Sequence, residues 1–134
     1  MVIPFQVGVD IVSVRRMGEA IERGGSRFLN RVFTKREQAY CKKKRNKYEN
    51  YAARFAAKEA VIKAKKGGRG RFAFSQIEVT RDLRGAPVIE LTASAHRALG
   101  ISKSARFELS MAHERDFAIA IVVMVDSFGK ERFF

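Results

Sequence analysis

RFAAKEAVIKA, residues 54–64, lies inside the strongest helix candidate of the chain, residues 47–65. This run is rich in Ala, Lys, Glu and Arg and has no interior Gly or Pro, so its helix propensity is high. The alanines of the candidate helix 47–65 carry only a methyl group and allow a neighbouring element to pack closely. They lie at positions 52, 53, 56, 57, 60 and 64. We therefore expect a long central helix with close-packed neighbours.

The segments on either side predict a mixture of strands and helices. A capping box, TKRE at residues 34–37, predicts a helix start, and Gly24-Gly25 predicts the end of an earlier helix. The order of strand, helices and then mostly strands is typical of an α+β fold. The expected strands are residues 7–14, 76–81, 87–91, 107–111 and 117–125, and the other expected helices are residues 14–24, a segment from Thr34, and residues 94–99.

Size and composition indicate a single domain. The chain has 134 residues, 46% of them hydrophobic, which is enough for a real core. We place the domain at residues 1–126 and treat residues 127–134 as a tail. No run reaches the roughly 18 apolar residues of a membrane span, and the amino terminus lacks a secretory-signal pattern. We therefore expect a cytoplasmic protein that makes no use of a membrane.

The charge is strongly basic. Lys and Arg number 27 against 14 Asp and Glu, a net charge of +13. Such a field attracts anions and speeds their encounter without specifying which anion binds. Nucleic acid, an acidic protein, a phosphorylated ligand and an anionic membrane are all compatible with the charge.

Asp10 is the first candidate for chemistry. It lies within residues 7–14, which read as a buried strand, and a buried carboxylate is costly unless it is paired or hydrogen-bonded. It could be a metal ligand or the partner of one of the many basic residues. On this residue alone the ion pair is the favoured interpretation.

Glu59 and Lys63 form the second candidate. They are four residues apart and so share a helix face. Alone, they would be a surface pair worth about 0.3–0.5 kcal/mol. Because Phe55 lies on the same stripe, Glu59 is not required to face solvent.

Three further features have weaker patterns. The glycine- and arginine-rich segment 65–71 could bind phosphate or single-stranded nucleic acid, or could be a helix end and a loop. The basic run 42–45 is typical of a solvated helix face. His113 ends a strand beside a turn, where a histidine is more often structural but can donate to a phosphate.

In combination, these motifs resemble the holo-[acyl-carrier-protein] synthase family, the short bacterial class of 4′-phosphopantetheinyl transferases. VGVDIV at residues 7–12 is similar to the family's Gly-x-Asp-Ile start, and residues 54–64 are similar to its Arg-Phe-Ala-Ala-Lys-Glu-Ala helix. SMAH at residues 110–113 and GAP at residues 85–87 resemble two later motifs. The likeness runs from about Val7 to Val125 in the family's order.

The resemblance implies an activity and a fold. The activity is transfer of 4′-phosphopantetheine from coenzyme A to a serine of apo acyl carrier protein, with Mg²⁺ as cofactor and adenosine 3′,5′-bisphosphate as by-product. The fold is an antiparallel sheet packed against a long central helix, assembled as a homotrimer with sites between subunits. Magnesium takes carboxylate, phosphate and water oxygens, so paired carboxylates and a pyrophosphate suit it.

The resemblance also implies residue roles. Asp10 and Glu59 match the metal ligands. Glu59 is the candidate to accept the serine proton, directly or through a water, and Lys63 matches a lysine that neutralises the pyrophosphate and the leaving group. The residues matched to coenzyme A binding are Arg54, Lys63, Gly68, Pro87 and His113, and those matched to carrier docking are Arg16, Arg23, Arg27, Phe28 and Arg31.

The sequence departs from the family pattern at several positions. Ala53 replaces a glycine, Lys65-Lys66-Gly67-Gly68 replaces Gly-Thr-Gly, and Ala112 replaces a hydroxyl residue. Two alternatives are a basic nucleic-acid-binding domain and an inactive trimeric scaffold. The first leaves the carboxylates of Asp10 and Glu59 unexplained, because without a metal they would repel phosphate. The second is disfavoured because the acidic pair is intact.

Overall fold

The structure, a computed structural model, describes residues 5–66 and 70–126. The described residues form five strands and four α-helices, with three successive helices after the first strand and mostly strands after them, which is the α+β arrangement that the sequence predicts. Their order is β1 (Phe5–Ser13), α1 (Val14–Val32), α2 (Lys35–Lys42), α3 (Lys47–Ala64), a 3₁₀ turn (Phe74–Gln76), β2 (Ile77–Arg81), β3 (Pro87–Leu91), α4 (Ala93–Leu99), β4 (Arg106–His113) and β5 (Phe117–Val125).

The strands form two antiparallel sheets. Three strands are ordered β1-β5-β4, and β2 pairs with β3 as a separate hairpin. Residues 117–125 are apolar on both faces of the strand, which suits a central position, and β5 indeed pairs with both neighbours. Asp10 and Met111 lie level with each other across the sheet, both in register with Ala120.

Helix α3 packs across β1 and β5, as a long central helix should. Its alanines are buried at 0–2% exposure and allow this approach. The approach is closest at Gly8, where a Cβ atom would lie 1.9 Å from the carbonyl oxygen of Ala60 and 2.7 Å from the amide nitrogen of Ala64. Only glycine fits at this point, so Gly8 sets the distance between β1 and α3.

The first helix is longer than its glycines predict. Gly25 has a positive φ of 58° and interrupts the helix, but helical residues resume at once and continue to Val32. A single left-handed glycine can turn the chain without ending helical structure beyond it. The predicted end at residues 24–25 is therefore a kink.

The prediction that β1 is buried is wrong for one of its faces. Val7, Val9 and Ile11 are 48–62% exposed, whereas Gly8 and Val12 on the other face contact α3 or the core. The helix packs on the face with the small residue because only there can it come close. Six of the seven large exposed apolar residues of β1 and β5 form a patch that we call the outer sheet face: Val7, Val9, Ile11, Phe117, Ile119 and Ile121. The seventh, Phe5, begins β1.

Within the described ranges, every helix is too short or too polar to cross a lipid bilayer. Gly68 and the tail 127–134, both singled out in the sequence, lie outside the described residues.

Candidate functional site

Two carboxylates meet where β1 and α3 approach each other. Asp10 follows Gly8 by two residues and therefore shares the helix-facing side of β1, and Glu59 precedes Ala60, the residue that Gly8 contacts. Burial raises the pKa of Glu59, and the charge of Asp10 raises it further, while Lys63 opposes both. The two side chains are thus close enough to repel each other.

Lys63 completes this group. Its Nζ lies 2.7 Å from Oδ1 of Asp10, and the hydrogen bond and charge of Asp10 raise the pKa of Lys63. The lysine therefore pairs across to β1 and not along its own helix with Glu59. The Asp10 side chain is only 14% exposed, whereas that of Lys63 is 53% exposed. The lysine side chain can therefore turn away from Asp10 into solvent without any change in the backbone.

The charges of this group bear on the predicted metal site. Two carboxylates and one ammonium leave a net negative charge, and the pKa of Glu59 is raised first by burial and then by the charge of Asp10. In the part of the chain that the structure describes, no three His, Cys, Asp or Glu side chains cluster as a metal site. Two carboxylates are fewer than a metal site made by protein alone needs, whereas Mg²⁺ usually binds through one or two carboxylates together with waters and substrate phosphates.

A groove of about 450 Å³ opens beside Asp10, between β1 and α1. Arg16, Arg23 and Phe28 line it, which are three of the five residues matched to carrier docking. Phe55, one helical turn before Glu59, forms part of the α3 wall. Arg27 and Arg31 are exposed further along α1. An acidic partner in this groove would lie next to the carboxylate pair.

Arg54 is not brought to the carboxylates. It lies on a different stripe of α3 from Glu59 and is 1% exposed. Its guanidinium stacks 4.2 Å from the ring centre of Tyr40, and its Nε has no hydrogen-bond partner. Within a single chain, this side chain is enclosed by protein.

His113 and Pro87 also lie apart from Asp10. His113 contacts Glu49 in the first turn of α3, with Nδ1 2.8 Å from Oε1, and Glu49 is about 15 Å along the helix axis from Glu59. β5 separates the strand of His113 from that of Asp10. Pro87 begins β3 in the other sheet. Among the described residues matched to the metal and to coenzyme A, one copy of the chain brings Asp10, Glu59 and Lys63 together and keeps Arg54, Pro87 and His113 apart from them.

Sequence reasoning missed two partners. Lys58 and Glu37 form a fully buried ion pair with Nζ 2.9 Å from Oε1. The capping box predicted that Glu37 caps a helix, but it gave no indication that Glu37 would pair with a lysine on another helix. Glu49 was missed as the partner of His113 because 64 residues separate them in the chain.

Comparison with known proteins gives consistent matches over nearly the whole chain. A family model described as the 4′-phosphopantetheinyl transferase superfamily matches residues 6–122. A holo-[acyl-carrier-protein] synthase of Halothermothrix orenii is 45% identical over 117 residues, covering 87% of this chain and 94% of the relative. One from Desulforudis audaxviator is 43% identical over 126 residues, covering 94% and 96%.

Solved structures are also similar. An ACPS–CoA complex from Chronobacterium ammoniagenes superposes with a TM-score of 0.80 at 30% identity, covering 91% of this chain and 97% of that one. The Helicobacter pylori holo-[acyl-carrier-protein] synthase in complex with coenzyme A has a TM-score of 0.74 at 33% identity, covering 88% and 98%.

Proposed function

Because the chain belongs to the 4′-phosphopantetheinyl transferase superfamily, we propose that it acts as a magnesium-dependent holo-[acyl-carrier-protein] synthase. It transfers the 4′-phosphopantetheine group of coenzyme A to a serine of apo acyl carrier protein. The observation that carries this proposal is the group formed by Asp10, Glu59 and Lys63, in a chain 45% identical to a holo-[acyl-carrier-protein] synthase.

In the reaction, the serine oxygen forms a bond to the phosphorus of the 4′-phosphate. The bond from that phosphorus to the bridging oxygen of the pyrophosphate breaks, and adenosine 3′,5′-bisphosphate leaves with the electron pair. Such a transfer depends mainly on positioning and on neutralising charge. When bound by Asp10 and Glu59, Mg²⁺ would neutralise the pyrophosphate and the charge that develops on it.

Lys63 and Glu59 have separate tasks. Lys63 moves from Asp10 to the pyrophosphate and stabilises the negative charge of the leaving group. Glu59 accepts the serine proton, directly or through a water. A carboxylate placed within hydrogen-bond reach of the serine oxygen, or one water away from it, is the kind of group that general-base catalysis uses.

The groove and the charge explain how the carrier is bound. Arg16, Arg23 and Phe28 offer cations beside an aromatic ring, which suits an acidic protein with an exposed apolar residue. Arg27 and Arg31 extend the positive surface along α1. This use of the charge favours an acidic protein as the partner, in place of nucleic acid.

We further propose a homotrimer in the cytoplasm. The outer sheet face exposes six large apolar residues in register on adjacent strands, and such contiguous patches mark interfaces. The resemblance implies sites between subunits, so a second copy could supply His113 and Pro87, which one chain keeps apart from Asp10. The matches of Arg54 and Gly68 to coenzyme A binding stay predictions.

The test is the mass of an apo carrier after incubation with coenzyme A, Mg²⁺ and the enzyme. We expect the mass to rise by one phosphopantetheine group, and Asp10→Ala and Glu59→Ala to abolish the change while both variants still fold. Lys35→Ala, an exposed lysine on α2, is the control. A carrier of unchanged mass with the wild-type enzyme would favour the nucleic-acid-binding alternative, and full activity in either variant would refute the metal ligands.

A further inference from the structure

The buried Lys58–Glu37 pair lies next to the proposed site without taking part in it. Lys58 directly precedes Glu59, but its side chain points about 100° away around the helix. Both side chains of the pair are 0% exposed. Burial lowers the pKa of Lys58, and the Glu37 carboxylate opposes this by favouring the ammonium. Removing two charges from water is costly, so the pair calls for a reason beyond packing.

The hydrogen bonds of this pair are complete and join three parts of the chain. Besides Glu37, the ammonium donates to the carbonyl oxygen of Phe74 at 3.0 Å and to that of Ile77. Glu37 also accepts from the amide of Thr34 at 2.8 Å and from that of Val79 at 2.6 Å. One ion pair thereby ties α3 to α2 and to the beginning of β2.

Helix α3 needs such a tie because its packing surface is made largely of alanine. Ala52, Ala56 and Ala60 are fully buried, and methyl groups form low ridges that interlock weakly with a neighbour. An alanine face allows close approach but specifies rotation about the helix axis poorly. Directional hydrogen bonds to a buried ammonium do specify rotation, as buried polar groups specify register in some coiled coils.

We propose that Lys58 is a positioning residue that fixes the rotation of α3 and so keeps Glu59 turned toward Asp10. This inference rests on the proposed function. A rotation of about 20° moves a side-chain end lying some 5–6 Å from the helix axis by roughly 2 Å. A metal site tolerates about 0.5 Å, so a small loss of rotational order would separate the two ligands.

The test is Mn²⁺ binding in the presence of coenzyme A, followed by electron paramagnetic resonance, which needs no turnover. The double variant Lys58→Met, Glu37→Gln removes both charges together and keeps an oxygen for the α2 cap. We expect Mn²⁺ binding about tenfold weaker, as is usual when groups that orient metal ligands are lost, and a KM for the carrier within about twofold of wild type, because the groove is lined by other residues.

Leu99→Ala is the matched control, because it opens a cavity in the core at α4, an element that makes none of the hydrogen bonds of the ion pair. If it weakens Mn²⁺ binding as much as the double variant does, general destabilisation explains the effect and the inference is overturned. Mn²⁺ binding unchanged in the double variant overturns it as well. Should the double variant not fold, Glu37→Asp replaces it, because it keeps both charges and only shortens the carboxylate side chain; the expected weakening is at least threefold, with the same refutation.

Asp10→Asn in the same assay separates this inference from the proposed function. We expect it to lose Mn²⁺ binding. If it does and the double variant binds normally, only the positioning role of Lys58 fails. If Asp10→Asn itself binds Mn²⁺ like wild type, the proposed metal site fails and the inference falls with it.

Discussion

Gly8→Ala adds one methyl group at the point where β1 meets α3. The new Cβ would lie 1.9 Å from the carbonyl oxygen of Ala60, whereas a carbon–oxygen contact needs about 3.3 Å. The helix must therefore withdraw from the strand by roughly 1.4 Å. Because the obstructing atoms belong to the backbone, no side chain can rotate away to relieve the clash.

The cost follows from this displacement. Overpacking a core costs about 1–3 kcal/mol, and a backbone clash belongs at the upper end of that range. With an unfolding entropy of about 2.1 cal/mol/K per residue, 3 kcal/mol lowers the midpoint of a chain of this size by about 10 °C. The same displacement separates Asp10 from Glu59 by more than the roughly 0.5 Å that a catalytic site tolerates. Activity should fall even where the variant is fully folded.

Thermal unfolding followed by circular dichroism measures the first effect, and carrier modification at 20 °C measures the second. Gly85→Ala is the matched control: it adds the same methyl at a φ of 85°, with no atom within 4 Å, and it lies outside the group formed by Asp10, Glu59 and Lys63. It should lose some stability but keep its activity. A Gly8→Ala variant with wild-type midpoint and rate would show that α3 does not approach β1 this closely.

Three other outcomes are expected. Glu59→Gln should raise the midpoint of thermal unfolding at pH 7 and leave it unchanged near pH 3.5. The pKa of Glu59 in the folded chain lies above its ordinary 4.5, so ionisation of this carboxyl lowers the stability as the pH rises from the ordinary pKa through the folded one, and has no effect at lower pH. A midpoint equal to that of the wild type at pH 7 would contradict this. The KM for the carrier should rise with salt, and less steeply in Arg23→Ala than in Lys35→Ala, because exposed charges are screened; a salt-independent KM would contradict carrier docking on α1. Ile121→Arg should convert the proposed homotrimer to monomers in light scattering, whereas Leu83→Arg, at a more exposed hairpin tip, should not; an intact trimer in Ile121→Arg would place the interface elsewhere.

The central helix and the strands could be predicted because their signals are local. Helix propensity in residues 47–64 and alternation in β4 depend on neighbours a few positions away. Asp10, Glu59 and Lys63 were singled out the same way, each within its own segment. The sequence did not predict that α1 continues beyond Gly25. A glycine pair indicates a break in a helix, and it carries no information about what packs against the residues that follow.

Distances between segments were decided by the tertiary structure alone. Three features depend on which face of each element packs against its neighbour. They are the pairing of Lys63 with Asp10, the pairing of Lys58 with Glu37, and the outward orientation of the apolar side of β1. Packing depends on pairs of surfaces that are far apart in the chain. A one-residue change in strand register would move every side chain of the strand to the opposite face of the sheet. The sequence alone therefore determined which groups could carry the chemistry, and the packing of α3 on β1 determined which of them meet.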